Sequence, residues 1–201
     1  MKIAVFVSGS GTNLQALIDR FHNDPMRGVE IALVLSDRRN AYALKRAKRV
    51  GIPTEVVRVR DFPDRVAFDA EIARIIDAHD VKLIVLAGFM KLFQPPFVQR
   101  YRNRIINIHP SLLPAFPGAR PVQDTLAYGV KMTGVTVFFV NEGVDAGPII
   151  AQVPVPIYDN DNEEQLLTRI HAQEHQLYPK VIQWYAEGKL EIIGRKVIVK
   201  E

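Results

Sequence analysis

The sequence contains no cysteine, which excludes disulfide bonds and thiolate metal sites. It has no apolar run near the roughly 18 residues that a membrane-spanning helix requires, so we expect no membrane partner. Met1 and Lys2 lead directly into an apolar stretch, which does not fit a secretory signal peptide. Internal repeats and low-complexity tracts are missing as well. Together these absences favour a folded, cytoplasmic protein.

The composition is that of an ordinary globular chain. Of its 201 residues, 48% are apolar and 24% are charged, which suits one domain with a substantial core. The net charge of +4 favours anionic ligands such as phosphates and carboxylates. The basic residues are scattered, and we interpret Arg38, Arg39 and residues 45–49 as solvated faces of a loop and a helix. We therefore expect no nucleic acid partner.

Apolar runs alternate with helical patterns along the first half of the chain. The runs that predict strands cover residues 2–7, 29–35, 54–59, 81–86 and 105–108. The helical patterns follow them, at residues 14–18, 41–50 and 65–78 and after residue 95. This alternation predicts an α/β fold with a mostly parallel, doubly wound (Rossmann-like) sheet.

The second half adds a different set of elements. A helix is predicted near residues 122–128, and the longest helix covers residues 162–186. Runs at residues 134–140 and 148–155 predict two strands that pair as antiparallel additions to the sheet. Residues 190–193 and 196–199 predict a small C-terminal hairpin.

A glycine-rich loop at residues 9–13 joins the first predicted strand to a helix. It lacks the lysine of a P-loop and the full spacing of a dinucleotide fingerprint, for whose acidic residue Asp37 is a loose match. A cradle of backbone N–H groups with the Ser10 and Thr12 hydroxyls remains. The loop is therefore either a phosphate site or a tight turn.

Asn107 and His109 lie two residues apart where a predicted strand ends. Their side chains are expected on the same side, at the edge where open α/β sheets bind ligands. An imidazole, with an ordinary pKa of about 6.5, suits proton transfer, and a neutral amide can donate to an oxyanion. The alternative is an ordinary strand exit whose polar groups cap local backbone.

Two further features have competing interpretations. Asp145 lies in a loop between Gly143 and Gly147, which fits either close approach of a ligand or an Asx turn. His171 and His175 are four residues apart on the long helix, but no third ligand is evident. We therefore expect no metal site.

Three motifs resemble those of the glycinamide ribonucleotide formyltransferases, a family of folate-dependent enzymes, in the same order along the chain. They are GSGTNLQ at residues 9–15, NIHPSLLP at residues 107–114 and Gly134 with DAGP at residues 145–148. The resemblance covers essentially the whole chain. It implies transfer of a formyl group from 10-formyltetrahydrofolate, as co-substrate, to the amine of glycinamide ribonucleotide in purine synthesis. It also implies one domain, 1–201, with a nucleotide half at 1–105 and a folate and catalytic half at 106–201.

The resemblance assigns site residues position by position. The catalytic residues would be Asn107, His109 and Asp145. The glycinamide ribonucleotide would contact Gly11, Thr12, Asn13, Pro110 and Glu174. The folate would contact Arg65, Met90, Lys91, Leu92, Phe93, Asn107, Val140, Glu142 and Asp145.

In this mechanism the amine attacks the formyl carbon and leaves a negative oxygen. Asn107 and protonated His109 would donate to that oxygen, while Asp145 would favour the charged imidazole and organise a water for proton transfer. No metal is needed. Many family members carry histidines where this chain has Phe138 and Arg120, and we expect these two positions to tune the site rather than abolish it.

Alternative activities are weighed on the same motifs. A formyltetrahydrofolate deformylase normally has an extra N-terminal regulatory domain and a second histidine where this chain has Pro110. A methionyl-tRNA formyltransferase carries an additional C-terminal domain, for which no room is expected here. A non-catalytic nucleotide-binding module would not need all three catalytic positions. We expect a monomer or a homodimer that binds only small molecules.

Overall fold

The computed structural model describes residues 1–22, 24 and 27–200. The chain forms two compact units, Met1–Ile106 and Asn107–Glu201, which are described separately. The functional halves expected at residues 1–105 and 106–201 stay a prediction.

Parallel strands form the centre of the first unit. They are β1 (Lys2–Val7), β2 (Glu30–Ser36), β3 (Thr54–Val56) and β4 (Leu83–Leu86), in the order β3-β2-β1-β4. Nearly every residue of β1, β2 and β4 is buried, as expected for strands covered on both faces. Strand β5 (Ile105–His109) begins in this unit, where Ile84 N–H donates to Arg104 O at 2.8 Å, and ends in the second.

Helices α1 (Thr12–Phe21), α2 (Tyr42–Arg49), α3 (Arg65–Ala78) and α4 (Pro95–Arg100) alternate with these strands. The Asp64 side chain accepts from Ala67 N–H and caps α3, while a proline opens α4 where no N–H is needed. The strand expected at residues 54–59 was too long. The strand ends at Val56. The chain then enters a 3-10 turn at Val59–Asp61, where the Arg58 guanidinium donates two hydrogen bonds to the Asp61 carboxylate.

The second unit contains α5 (Pro121–Tyr128), β6 (Met132–Phe139), β7 (Ile149–Pro156), α6 (Glu163–Ala186), β8 (Leu190–Ile193) and β9 (Lys196–Val199). Strands β6 and β7 are antiparallel, and β8 and β9 form a hairpin. A capping box between Asn162 and Gln165 opens α6. The expected mostly parallel α/β fold with antiparallel additions is confirmed. Within the described ranges, no helix is long and apolar enough to cross a membrane.

Candidate active site

His109 is the last residue of β5 and is 5% exposed. Its Nε2 lies 2.8 Å from Phe116 O, an acceptor, so this nitrogen carries a proton. Its Nδ1 lies 3.5 Å from Asp145 Oδ2, an ion-pair distance longer than a good hydrogen bond. Both ring nitrogens therefore face protein acceptors. The expected donation from His109 to an oxyanion requires one of these acceptors to give way to substrate.

Asp145 reaches the imidazole from the loop after β6, where its backbone adopts φ 48°. Its Oδ2 also accepts from Gly118 N–H at 2.8 Å, which fixes the carboxylate. Gly147 closes this loop against the strand, since a Cβ there would lie 1.7 Å from Phe139 O. The loop thus needs glycine for close backbone approach, and it brings Asp145 to His109 as the family resemblance implies.

Asn107 lies two residues before His109 on β5 and is half-buried. No side-chain hydrogen bond is made by Asn107 within the described part of the chain. Its amide is therefore available to a ligand, in contrast to the imidazole beside it. Pro110, also half-buried, follows directly.

A buried hydrogen-bond network supports the segment after β5, and the sequence analysis missed it. Thr136 Oγ1 donates to Ser111 O at 2.6 Å and accepts from Leu113 N–H at 3.1 Å and from Gln152 Nε2 at 2.9 Å. Ser111 Oγ donates to the carbonyl oxygen of Ala115 at 2.6 Å. The signal available in the sequence was Thr136 among the apolar residues of the strand predicted at residues 134–140.

Glu174 lies on the buried face of α6 and is 4% exposed. Its Oε2 is 3.9 Å from His171 Nε2, and the rings of His171 and His175 stack at 6.0 Å. Burial lowers the pKa of both histidines, and for His175 the charge of His171 lowers it further while Glu174 opposes. Burial, with the Glu174 charge, raises the pKa of Tyr178 well above its usual value.

In the first unit, the glycine-rich loop ends at Gly11, which has φ 73° and precedes α1. A Cβ at Gly11 would lie 2.5 Å from Ala43 Cβ, so glycine is needed there for both conformation and space. Arg46 Nε donates to Ser10 O at 2.9 Å and holds the loop from α2. The N-cap residue of α1 is Gly11, which makes no side-chain cap, and the helix begins with Thr12 and Asn13.

The remaining folate candidates fall into three groups. Arg65 donates to Leu92 O, next to Met90 and Lys91, and the Met90 and Leu92 side chains are 57% and 66% exposed. Phe93 instead stacks between Phe89 and Phe97, with centroids at 5.7 and 4.2 Å, and its ring is part of an aromatic row. In the second unit, Val140 and Glu142 follow β6 on the way to Asp145.

The two positions where the chain departs from the family pattern differ in burial. Phe138 is 2% exposed inside β6, and Arg120 is exposed immediately before α5. Among the residues that the structure describes, no group of three or more histidine, aspartate and glutamate side chains is arranged to hold a metal ion.

The fold and these motifs define an α/β protein with a glycine-rich loop and with a histidine at the end of β5 that contacts an aspartate of the loop after β6. The chain matches the formyl transferase family over residues 1–182, and it belongs to this family. The phosphoribosylglycinamide formyltransferase of Escherichia coli strain K12 is 40% identical over 192 residues, covering 96% of this chain and 90% of that protein.

Other relatives place the chain in a wider context. A trifunctional purine biosynthetic protein adenosine-3 from Drosophila pseudoobscura pseudoobscura is 46% identical over 195 residues, and the match spans 14% of that longer protein. The crystal structure of glycinamide ribonucleotide transformylase 1 from Symbiobacterium toebii is 46% identical in sequence. The two structures superpose with a TM-score of 0.94, and the match covers 100% of this chain and 94% of that one. The structure of a formyltetrahydrofolate deformylase from Pseudomonas syringae is 28% identical, with a TM-score of 0.92, and the match covers 100% of this chain and 66% of that one.

Proposed function

We propose that the chain transfers a formyl group from 10-formyltetrahydrofolate to the amine of glycinamide ribonucleotide in purine synthesis. The observation that carries the proposal is the pair of His109 and Asp145, 3.5 Å apart, in a chain of the formyl transferase family. Asn107 beside them keeps a free amide. Coverage of 90% of the Escherichia coli formyltransferase supports the same substrates.

The glycine-rich loop supports the ribonucleotide half of this proposal. Gly11, the N-cap residue of α1, has φ 73° and makes no side-chain cap to the first turn of the helix. Such a helix start attracts a phosphate through its N–H groups and its dipole. Thr12 and Asn13 would complete this contact, and Pro110 and Glu174 would meet the glycinamide arm.

The folate half is supported by an apolar surface beside a cation. Met90 and Leu92 are exposed apolar side chains next to Arg65 and Lys91, an arrangement suited to an aromatic body with a carboxylate. This surface fits a folate as substrate. Phe93 stays a predicted folate contact, and its ring packs against that of Phe97.

The chemistry needs the amine to attack the formyl carbon, so that the new C–N bond forms and the carbonyl oxygen becomes negative. Asn107 donates to that oxygen, and the imidazolium of His109 supports it when Phe116 O releases the ring. The proton of the attacking amine passes through a water held at Asp145 to the departing folate nitrogen. The folate C–N bond then breaks and leaves tetrahydrofolate.

The test uses the purified protein with 10-formyltetrahydrofolate, with and without glycinamide ribonucleotide, and follows the folate absorbance. We expect turnover only when both substrates are present, with formation of formylglycinamide ribonucleotide by mass spectrometry. Absence of turnover with both substrates would favour a non-catalytic nucleotide-binding module.

A deformylase is the second candidate, because a structure of that activity shares the fold at TM-score 0.92. Hydrolysis of the donor at the same rate without the amine would identify it. The 28% identity to that structure, against 46% to the transformylase, favours the transferase. A cytoplasmic location and a monomeric or homodimeric state stay predictions.

A further inference from the structure

The carbonyl oxygen of Phe116 is shared by two side chains from the end of β5 and the segment after it. His109 Nε2 lies 2.8 Å from this oxygen, and Ser111 Oγ lies 3.3 Å from it. Ser111 Oγ donates a shorter hydrogen bond, of 2.6 Å, to Ala115 O. A serine hydroxyl has a single proton, which rotates to the acceptor that suits it. The Ser111 proton therefore has two acceptors within reach, and one of them is the acceptor that holds His109.

The main chain around Ser111 is held in place, so that its side chain is the part that can respond. Ser111 is fully buried, and Thr136 Oγ1 donates to its carbonyl oxygen at 2.6 Å. Leu113 N–H, two residues further on, donates to the same Thr136 hydroxyl at 3.1 Å. Because the backbone is fixed at both residues, transfer of the hydroxyl proton from Ala115 O to Phe116 O requires rotation of the side chain and no movement of the strand end.

The loop that carries Phe116 is held on both sides as well. Ala115 N–H donates to Leu112 O at 3.0 Å on one side, and Gly118 N–H donates to Asp145 Oδ2 at 2.8 Å on the other. These contacts keep the Phe116 carbonyl directed at the imidazole. In the proposed reaction the imidazole has to leave this carbonyl to meet the substrate oxygen, and the carbonyl then loses the shorter of its two hydrogen bonds.

The two carbonyls that the Ser111 hydroxyl can reach differ in their access to water. Ala115 is an exposed residue, so water can replace the serine at its carbonyl, whereas Phe116 is half-buried. A polar group that is left without a partner inside a protein carries the cost of its lost hydration. Rotation of the Ser111 hydroxyl toward Phe116 O offsets this cost at the moment when the imidazole leaves.

We propose that Ser111 is a positioning residue for His109. Its hydroxyl moves from Ala115 O to Phe116 O as the imidazole turns to the substrate oxygen, and this exchange lowers the barrier to release of the ring. The inference rests on the proposed function, because it takes His109 as the group that donates to the reacting formyl oxygen. In this role Ser111 acts through the Phe116 carbonyl and needs no contact with either substrate.

The first test measures kcat and both KM values of Ser111→Ala with 10-formyltetrahydrofolate and glycinamide ribonucleotide. Without the hydroxyl, the Phe116 carbonyl has no replacement donor when the imidazole leaves, so we expect kcat to fall about tenfold. Both KM values should stay within about twofold of wild type, because the ring is released only as the negative oxygen develops. An unchanged kcat would overturn the proposal.

The second test follows the His109 Nε2 proton in the substrate-free protein by NMR with isotope-labelled histidine. The chain has five histidines, and the signal of His109 is the one that disappears in His109→Ala. In Ser111→Ala the imidazole no longer shares Phe116 O with the hydroxyl, so we expect its proton signal to move downfield and to exchange more slowly with solvent. A merely structural role of Ser111 would loosen the loop instead. A signal that broadens or exchanges faster would therefore overturn the proposal.

Thr136→Val is the matched control, because it removes another buried hydroxyl from the same network. The Thr136 hydroxyl donates to Ser111 O and not to the Phe116 carbonyl. We expect this variant to lose stability, to lose less kcat than Ser111→Ala, and to show no downfield shift of the His109 proton. An equal downfield shift in both variants would assign the effect to the network as a whole and would overturn the proposal.

The two tests also separate this inference from the proposed function. A wild type that never turns over the two substrates would contradict the proposed function. The NMR comparison needs no substrate, so the signal of Ser111→Ala still decides whether the hydroxyl and the imidazole compete for Phe116 O, the competition on which the inference depends.

Discussion

Two regions of the molecule are built in opposite ways. One is the glycine-rich loop together with the pocket lined by Arg39 and Arg60, and the other is the end of β5. In the first region, exposed Arg39 and Arg60 have no ion-pair partner within the described chain, and the start of α1 has no side-chain cap. At the end of β5, His109 and Ser111 are buried and bonded to neighbouring carbonyls. One region offers unmatched positive charge to solvent, whereas the other fixes its polar groups internally.

This difference agrees with the roles that we propose for the two regions. Binding an anion by charge tolerates variation in position, because the attraction falls off gradually with distance. Moving a proton requires atoms within hydrogen-bond reach, so the groups are held by a dense network. Single substitutions should therefore cost most at the end of β5 and least among the exposed charges.

The largest effect is expected from His109→Ala and Asp145→Asn. Each removes one side of the 3.5 Å pair, and we expect kcat to fall about 10²–10⁴-fold, the usual worth of a positioned proton-transfer group or oxyanion donor. Steady-state rates with both substrates measure the loss. Titration with glycinamide ribonucleotide serves as the control and should show affinity close to wild type. Rates near wild type in either variant would refute the assigned roles.

The second effect compares two glycines with nearly the same backbone conformation. Gly11 has φ 73° and Gly51 has φ 74°, but an added Cβ meets Ala43 only at Gly11. We expect Gly51→Ala to lower the free energy of unfolding by about 1–2 kcal/mol through backbone strain alone. Gly11→Ala should cost about 1–3 kcal/mol more because of the clash at 2.5 Å.

Denaturant unfolding of both variants separates strain from crowding. Gly11→Ala is also expected to raise the KM for glycinamide ribonucleotide about tenfold or more, since the loop has to shift. Equal destabilisation of the two variants, with an unchanged KM for Gly11→Ala, would show that the glycine-rich loop tolerates a side chain and does not require glycine at position 11.

The strand pattern of the fold could be predicted because it depends on long apolar runs. Strand β1 and the hairpin strands Leu190–Ile193 and Lys196–Val199 have the predicted bounds. Strand β4 was predicted from residue 81 but begins at Leu83, because Val81 N–H donates to Ile76 O and finishes the preceding helix. Such boundaries depend on individual backbone hydrogen bonds, which periodicity does not show.

The candidate site could be predicted only in part. The contact between His109 and Asp145 agrees with what the resemblance to the formyltransferase family implies. The engagement of His109 Nε2 by Phe116 O depends on a loop conformation with φ 52° at Phe116, which no residue pattern specifies. Lys91 was predicted as a folate contact, but its position in one pocket with Arg39 and Arg58 was not predicted, because these residues come from distant stretches that only the fold brings together.

The third effect tests how strongly the stability of the fold depends on the hydrogen-bond network around Thr136, which supports the segment after β5. Thr136→Val keeps the shape of the side chain but removes the hydroxyl that bonds Ser111 O and Leu113 N–H. Because Ser111 O, Leu113 N–H and Gln152 Nε2 lose this partner, we expect the free energy of unfolding to fall by about 1–3 kcal/mol. A modest loss of kcat should accompany it, because the segment after His109 loosens.

Thr133 provides the matched control on the same strand. Its Oγ1 is buried with no hydrogen-bond partner among the described residues, so Thr133→Val is expected to be neutral or stabilising. Equal destabilisation by the two substitutions would mean that the hydroxyl of Thr136 contributes nothing beyond its volume.

The smallest effect concerns the histidines of α6. Burial lowers the pKa of His171 and His175 in the folded chain below the unfolded value of about 6.5, so the unfolded chain binds more protons below that pH. We expect the free energy of unfolding to be unaffected by these groups above pH 6.5 and to fall as the pH drops toward their folded pKa values. The variant His171→Gln, His175→Gln should show a shallower fall in urea unfolding between pH 7 and about 5. A fall as steep as in the wild type would show that other groups cause the acid sensitivity. Substitution of His171 and His175 would then cost as little as substitution of the exposed charges of the first unit.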